Sequence, residues 1–394
     1  MAASRAAIAT RVPRPRLLAR GWNARSAQVA CSAAKSRVAP SPRAASRSPA
    51  GEILNFRAKQ QGLPLLRPLR AAAANPPAGD GDAAVESPKN AMLVTLSFIL
   101  IWYALNIGFN IYNKALFNHF PFPWTVSTVH VIVGSIYCGV LYLLGFKDAS
   151  YGRPINKEEF GYLIKPATMH ALGHIAANLS FAAVAISLTH TVKTLEPAFN
   201  VVMSKLVLGT VTPLPVVASL LPIIIGVAMA SAAEVSFNWL GFGTAMASNL
   251  TFSFRAVWVK EVQAKVKNFS STNNYAYTSL ISMFICAPLA LIFEGGNLVE
   301  GAKSAMAAMG VANFWFQLFL VGILYHLYNQ FAYQTLGRLN PVSHGVCNVI
   351  KRIAVIFSSV IFFGNVMTTK TMIGTCVAIA GTYLYTTMQQ KYKK

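Results

Sequence analysis

The stretch AMLVTLSFILIWYALNIGFNIYN, residues 91–113, contains no charged side chain. A helix needs about 20 apolar residues to cross the hydrocarbon core of a bilayer, so this stretch predicts a membrane-spanning helix. The whole chain has the same character, because 54% of its 394 residues are hydrophobic, 12% are charged and the mean hydropathy is +0.47. Soluble domains carry about 25% charged residues. The composition therefore excludes a soluble globular protein.

Apolar stretches of similar length follow one another to the end of the chain. The connections between them, such as residues 119–123 and 339–341, are too short for a soluble domain. We therefore predict an all-α integral membrane protein with ten transmembrane helices. The predicted spans are residues 91–113, 124–145, 160–183, 185–207, 213–232, 238–259, 274–293, 313–336, 341–363 and 368–388.

The charges of the connecting segments support an even number of spans. With ten spans, the basic segments 147–157, 260–267 and 391–394 fall on one side of the membrane, together with the basic N-terminal segment. The net acidic segment 294–303, interpreted as a loop, falls on the other side. Both termini are thus predicted on the same side.

The first 89 residues differ from the rest of the chain. They contain 15 basic and 4 acidic side chains, about half of the formal net charge of +22, and residues 1–50 contain no acid. A segment rich in Arg, Ser and Ala without a long apolar run is typical of an organelle transit peptide, plastid or mitochondrial. We predict a transit peptide over residues 1–72 and a linker over 73–90, with candidate cleavage points near 29–31 and 70–74.

The basic charge does not indicate a nucleic-acid partner, because the basic residues are not collected on one polar module with interleaved aromatic residues. The five cysteines are far apart and form no CxxC pair, so neither a metal site nor a disulfide framework is predicted. We expect no cofactor. The oligomeric state cannot be derived from the sequence.

A weak internal repeat is present. A shift of 154 positions aligns residues 189–192 with 343–346 and places His174 opposite Tyr328. Two copies of five spans must have opposite orientations, so the repeat predicts inverted halves of about 91–232 and 238–388 with a substrate site between them near the midplane. Chance similarity between two apolar helices is the alternative.

Three cations lie inside predicted spans, namely Lys193 in the fourth and Lys351 and Arg352 in the ninth. Each costs about 2.5–3.5 kcal/mol at the bilayer centre, so each needs a partner. Glu196 can pair with Lys193 at i, i+3. No acid is available in the ninth span, which favours a bound anion. Phosphate suits the fork of Arg and the compact charge of Lys, while sulfate and carboxylate fit less completely.

Other polar residues in the spans are less informative. Snorkelling to the interface accounts for Lys205 and Arg255, which lie near span ends. The repeat places His174 and Tyr328 where they would flank a bound phosphate ester. The intramembrane histidines have no acid at a catalytic spacing, and there is no Gly-rich phosphate loop, so an enzyme is not predicted.

Residues 180–187, 189–197, 325–330 and 348–352 together closely resemble the plastid phosphate translocators of the drug/metabolite transporter superfamily. The resemblance covers residues 91–394. It implies ten helices in two inverted halves, a multi-pass location in the plastid inner envelope with both termini in the stroma, and strict exchange of inorganic phosphate for phosphorylated metabolites.

Within this family, the members that exchange triose phosphate and 3-phosphoglycerate for phosphate are nearest. The resemblance implies that three cations hold the phosphate and that four further residues assist. The phosphate ligands are Lys193, Lys351 and Arg352; His174 and Tyr328 flank the substrate, Phe252 packs on it, and Lys114 acts at the substrate or a gate.

Two features depart from the triose-phosphate pattern. Ala176 and Ala177 stand where those members usually carry hydroxyl residues, and residues 360–363 are similar to the phosphoenolpyruvate branch. The alternatives are therefore a translocator for phosphoenolpyruvate or for hexose or pentose phosphate, and, less favoured, a nucleotide-sugar carrier.

Overall fold

The computed structural model describes residues 88–339, 341–364 and 367–392. In these ranges all regular secondary structure is helical, which confirms the all-α prediction. The predicted transit peptide and nearly all of the predicted linker lie outside the described residues.

Twelve α-helices and two 3₁₀ turns form the described part of the chain. The turns are Lys147–Ala149 and Lys193–Leu195. The α-helices are α1 (Pro88–His119), α2 (Pro123–Leu143), α3 (Lys157–Ala183), α4 (Ile186–Val192), α5 (Glu196–Leu208), α6 (Leu214–Ala218), α7 (Leu221–Ala233), α8 (Trp239–Lys265), α9 (Ser271–Met309), α10 (Val311–Arg338), α11 (Pro341–Phe363) and α12 (Thr369–Lys391).

Six segments of the described chain are long and apolar enough to cross a membrane. They lie in α1, α2, the α6–α7 segment, α9, α10 and α11. The other four predicted spans correspond to α3, the α4–α5 segment, α8 and α12, which carry more polar side chains or are interrupted. Each predicted span thus coincides with helical structure, and six of them have the apolar character of a membrane span.

The predicted span 185–207 is not one helix. It forms α4, the 3₁₀ turn Lys193–Leu195 and α5. Pro197 lies in the first turn of α5. Proline is tolerated there, but it has no N–H to continue a helix from the preceding turn. The break places Lys193 at a helix end in the middle of the span.

The interpretation of residues 294–303 as an acidic loop is wrong. Helix α9 is 39 residues long and continues through this segment to Met309. It ends before Gly310, whose φ of +85° suits a glycine. The backbone N–H groups of Trp124 and Thr125 donate to the two carboxylate oxygens of Glu294 at 3.1 and 2.7 Å. Glu294 therefore caps the N-terminus of α2, whose first N–H groups have no partner within the helix.

The two basic loops that follow α2 and α8 are adjacent. Arg153, which follows α2, binds both carboxylate oxygens of Glu159 and also donates to the carbonyl of Lys267, which follows α8. Asn273 donates to the carbonyl of Ser150 at 2.7 Å. The hydrogen bonds from Arg153 hold the pKa of Glu159 at about 2. These contacts fasten the start of α3 to the start of α9.

Helices from the first part of the chain pack mainly on helices from the second part. Helix α3 packs on α8 and α9, α10 packs on α1 and α2, and α2 packs on α9. Helix α7 packs on α12, α5 on α8, and α11 on α1 and α4. This arrangement brings the break at Lys193 next to both α8 and α11.

Helices α7 and α12 approach each other most closely at two small residues each. A Cβ atom at Gly226 would clash with the backbone of Gly374 and Ala378, and one at Gly374 would lie 2.5 Å from the backbone nitrogen of Ala230. Both helices therefore present a Gly-x-x-x-Ala pattern to the other. Such patterns permit backbone contact in membranes, where packing rather than the hydrophobic effect joins helices.

This crossing predicts a large effect of one methyl group. Gly226→Ala should lower the thermal unfolding midpoint of the purified protein in detergent, because the added carbon meets backbone atoms that cannot move aside. Overpacking of this kind costs about 1–3 kcal/mol. Gly243→Ala in α8 is the matched control, since nothing lies within 4 Å of its added carbon. Equal midpoints for the two variants would contradict the close crossing.

Candidate anion-binding site

The 3₁₀ turn between α4 and α5 directs Lys193 towards α8. Its ammonium donates to the Ser248 hydroxyl at 2.8 Å and lies 4.6 Å from the centroid of the Phe252 ring. The side-chain amide of Asn249 donates to the carbonyl of Val192 at 3.0 Å. Helix α8 therefore supplies partners both for the lysine and for the backbone that the break leaves unpaired.

Arg352 on α11 reaches the same break from the other side. Its guanidinium donates to the Glu196 carboxylate at 2.9 Å and to the carbonyl of His190 at 3.5 Å. Among the described residues, Glu196 forms its ion pair with Arg352. Its charge also interacts with that of Lys193, the predicted partner, but no hydrogen bond joins these two residues.

Lys351 contacts a different helix from its neighbour Arg352. Adjacent residues on a helix point about 100° apart, and the Lys351 ammonium lies over the Trp102 ring of α1, 4.7 Å from its centroid. Within the described ranges it has no hydrogen-bond acceptor. Its N–H groups are therefore uncommitted.

Of the three predicted phosphate ligands, Arg352 binds the Glu196 carboxylate directly, and Lys193 and Lys351 lie close enough to interact with its charge. Glu196 interacts electrostatically with Arg352, Lys193 and Lys351, and with a fourth cation, Arg255. The side chains of Arg352 and Glu196 are 14% and 31% exposed. One carboxylate facing four cations leaves a marked excess of positive charge, so this part of the bundle can attract an anion.

His174 and Tyr328 both pack on Tyr325. The His174 ring centroid lies 4.1 Å from that of Tyr325, and its Nε2 is 3.2 Å from Nδ1 of His130. The Tyr328 ring packs against Tyr325 and Phe109. Phe252, the third predicted flanking residue, lies beside Lys193. Of the three flanking residues, Phe252 on α8 contacts a cation directly, whereas His174 on α3 and Tyr328 on α10 meet at Tyr325.

Lys114 lies apart from this group. Its ammonium donates to the carbonyls of Phe181 and Val184 at 2.7 and 3.0 Å, at the end of α3. Lysine suits a helix C-terminus, where the last carbonyls have no intrahelical partner. In the described part of the chain no hydrogen bond or ring contact joins it to the other six predicted site residues.

Sequence reasoning missed a polar group next to Phe252. Arg255 does not snorkel, because its guanidinium donates to Nδ1 of His170 at 2.8 Å and lies 4.8 Å from the Phe252 ring centroid. Arginine can only donate, so Nε2 of His170 carries the proton and donates to the Tyr325 hydroxyl at 3.0 Å. The sequence signal that could have placed Arg255 beside Phe252 is their i, i+3 spacing, which puts both residues on one face of α8.

A helical membrane bundle with a broken helix and clustered cations between its two parts defines a transporter of anionic solutes. The chain belongs to the Triose-phosphate Transporter family, which it matches over residues 93–386. It is therefore a transporter rather than an enzyme.

Named relatives can be aligned with about four fifths of the chain. A chloroplastic triose phosphate/phosphate translocator of Brassica oleracea var. botrytis is 45% identical over 84% of this chain and 80% of that protein. The corresponding protein of Spinacia oleracea is 46% identical over 78% and 74%. A chloroplastic xylulose 5-phosphate/phosphate translocator of Arabidopsis thaliana is 39% identical over 79% and 74%.

The contact between Lys193 and Ser248 can be tested by binding. Ser248→Ala should weaken phosphate binding several-fold, because it removes the only hydrogen-bond acceptor of the Lys193 ammonium among the described residues. The measurement is the phosphate concentration that gives half-maximal thermal stabilisation of the purified protein. Thr244→Ala is the matched control, since this hydroxyl bonds only within α8. A normal phosphate dependence in Ser248→Ala would contradict the role of this contact.

Proposed function

We propose that this transporter exchanges inorganic phosphate for phosphorylated three-carbon metabolites, namely triose phosphate and 3-phosphoglycerate, by obligate antiport. The observation that carries the proposal is the clustering of Lys193, Lys351 and Arg352 around Glu196, with an excess of positive charge. A phosphate dianion offsets that excess and offers acceptors to both lysines and to the guanidinium.

Each predicted residue has a specific part in this proposal. Lys193 and Lys351 donate to the phosphate, and Arg352 turns from Glu196 towards it. The carboxylate of Glu196 acts as the substitute anion when the site is empty. His174, Tyr328 and Phe252 line the side on which the carbon skeleton lies. Lys114 acts as a gate residue at the end of α3.

The coupling follows from where the cations are held. Lys193 is bonded to α8, Lys351 lies over a ring of α1, and Arg352 is bonded to the first residue of α5. Each contact therefore joins the first part of the chain to the second. An empty site resists closure, because closure would bury mutually repelling cations around one carboxylate. A bound phosphate group neutralises them, and the two halves can then rock around it.

The proposed architecture is ten spans in two inverted halves, about 91–232 and 238–388. The packing supports it. If the halves are equivalent, α1 corresponds to α8, α2 to α9, α3 to α10 and α7 to α12. The contacts α1–α10 and α2–α10 then correspond to α8–α3 and α9–α3, and all four pairs are in contact. The pairs α2–α9 and α7–α12 are converted into themselves. The Gly-x-x-x-Ala patterns of α7 and α12 correspond in the same way.

The proposed location is the plastid inner envelope, with both termini in the stroma. The acid-free N-terminal segment supports a transit peptide over residues 1–72, followed by a stromal linker over 73–90. The adjacent basic loops support a common stromal side for residues 147–157 and 260–267. The named relatives are chloroplastic.

A broader or different phosphorylated substrate is the second candidate. The relative named for xylulose 5-phosphate supports a pentose phosphate, and Ala176 and Ala177 support a larger substrate than a triose phosphate. Phosphoenolpyruvate and hexose phosphate are further members of this group. A nucleotide sugar is least favoured, because the cation cluster needs no base or sugar contact to bind phosphate.

The exchange prediction is tested in proteoliposomes that contain the purified protein. Uptake of labelled phosphate should require phosphate or a phosphate ester inside the vesicles, because the empty carrier does not reorient. Dihydroxyacetone phosphate and 3-phosphoglycerate should be better internal partners than phosphoenolpyruvate, xylulose 5-phosphate or glucose 6-phosphate. Equal uptake into empty vesicles would contradict antiport, and a preference for another ester would identify the second candidate.

A second prediction tests Lys351 as a phosphate ligand. Lys351→Gln should abolish phosphate exchange, although it removes a cation from the membrane and should not destabilise the fold. Lys303→Gln, on an exposed part of α9, should exchange at the wild-type rate. Thermal unfolding of both variants checks that they are folded. Normal exchange by folded Lys351→Gln would refute the role of Lys351 as a phosphate ligand.

A further inference from the structure

The ammonium of Lys351 makes one direct contact in the described part of the chain, with the Trp102 ring of α1. The ring is 1% exposed, and it belongs to a different helix from the lysine. A cation over the face of a desolvated tryptophan is attracted by the ring quadrupole. Trp102 is thus the group that Lys351 contacts directly when no anion is bound, while the charge of Glu196 acts on it without a hydrogen bond.

The position of the Trp102 ring is itself fixed by α11. The His344 ring stacks on it, with centroids 5.3 Å apart and planes 10° apart. His344 and Lys351 are seven residues apart and therefore lie on the same helix face. Both side chains contact the indole, so α11 meets the Trp102 ring at two points two turns apart.

A matching contact exists in the other half of the chain. The Lys193 ammonium lies 4.6 Å from the Phe252 ring centroid, against 4.7 Å for Lys351 and Trp102. Phe252 is on α8 and Trp102 is on α1, the first helix of each proposed half. Each lysine therefore lies on an aromatic face that the opposite half supplies. Lys193 also has Ser248 as an acceptor, whereas Lys351 has no hydrogen-bond acceptor among the described residues.

We infer that Trp102 is a positioning residue that holds the Lys351 ammonium in place for the phosphate group of the substrate. This inference rests on the proposed function. A ring face attracts the charge without using up a particular N–H, so the N–H groups that point away from the ring stay available to an anion. Lysine has a flexible four-carbon chain, and a fixed ring reduces the entropy that binding would otherwise cost.

The test compares two substitutions of Trp102 in phosphate exchange. Trp102→Leu should raise the KM for phosphate about tenfold, the value of a desolvated cation–π contact, and leave the maximal rate within about threefold. Trp102→Phe should keep the KM within about threefold of wild type, since it retains a ring. The indole N–H has no acceptor among the described residues, so this change removes no hydrogen bond.

Phe98→Leu is the matched control. Phe98 lies one turn before Trp102 on α1 and carries Arg338, a cation outside the site, at 4.4 Å from its ring centroid. This variant loses the same kind of contact from the same helix and should keep the wild-type KM. An unchanged KM in Trp102→Leu would overturn the inference, and so would equal losses in all three variants, which indicate a structural role alone.

Phosphate-dependent thermal stabilisation separates this inference from the proposed function. If wild type binds phosphate but does not exchange it, antiport fails while the role of Trp102 is still measured by binding. Trp102→Leu should then need about tenfold more phosphate for half-maximal stabilisation, and Trp102→Phe should not. Identical curves for wild type and Trp102→Leu would overturn the inference whatever the exchange assay gives.

Discussion

A positive charge inside a membrane must be compensated by another group, and the centre of this bundle is arranged around that requirement. The three central cations meet it in three ways. Lys193 has a hydroxyl and a ring, Lys351 has a ring, and Arg352 has a carboxylate. None of these partners is a neighbour on the same unbroken helix. The contacts that compensate the charges are therefore also the contacts that join one part of the chain to the other.

The break between α4 and α5 makes this arrangement geometrically accessible. Lys193 begins the 3₁₀ turn and Glu196 begins α5. The lysine hydrogen-bonds to α8, and the carboxylate forms its ion pair with Arg352 on α11. Asn249 satisfies a carbonyl at the break, and Lys114 satisfies two carbonyls where α3 ends. Polar side chains from neighbouring helices thus stabilise an irregular backbone that lipid could not.

Hydropathy predicted the positions of the helices, because the hydropathy of a segment depends only on its own residues and not on the helices that pack against it. The free-energy cost of a charge inside the membrane likewise identified Lys193, Lys351 and Arg352. In the structure all three interact with the charge of Glu196. Their partners could not be predicted, since the contacts of Trp102 and Glu196 depend on how helices are rotated against each other. The 39-residue length of α9 was missed for a related reason: its second half is held by the hydrogen bonds of Glu294 to the start of α2 and by packing in the core, which depend on the neighbouring helices.

The crossing of α7 and α12 has a mechanical consequence. Where Gly226 and Gly374 meet, backbone lies directly against backbone, with no side chain between them that could change rotamer. Side-chain layers allow packed helices to slide by small steps, and this crossing has no such layer. Any displacement of α7 relative to α12 at this crossing must therefore move backbone against backbone, a change that no side-chain rotamer can absorb.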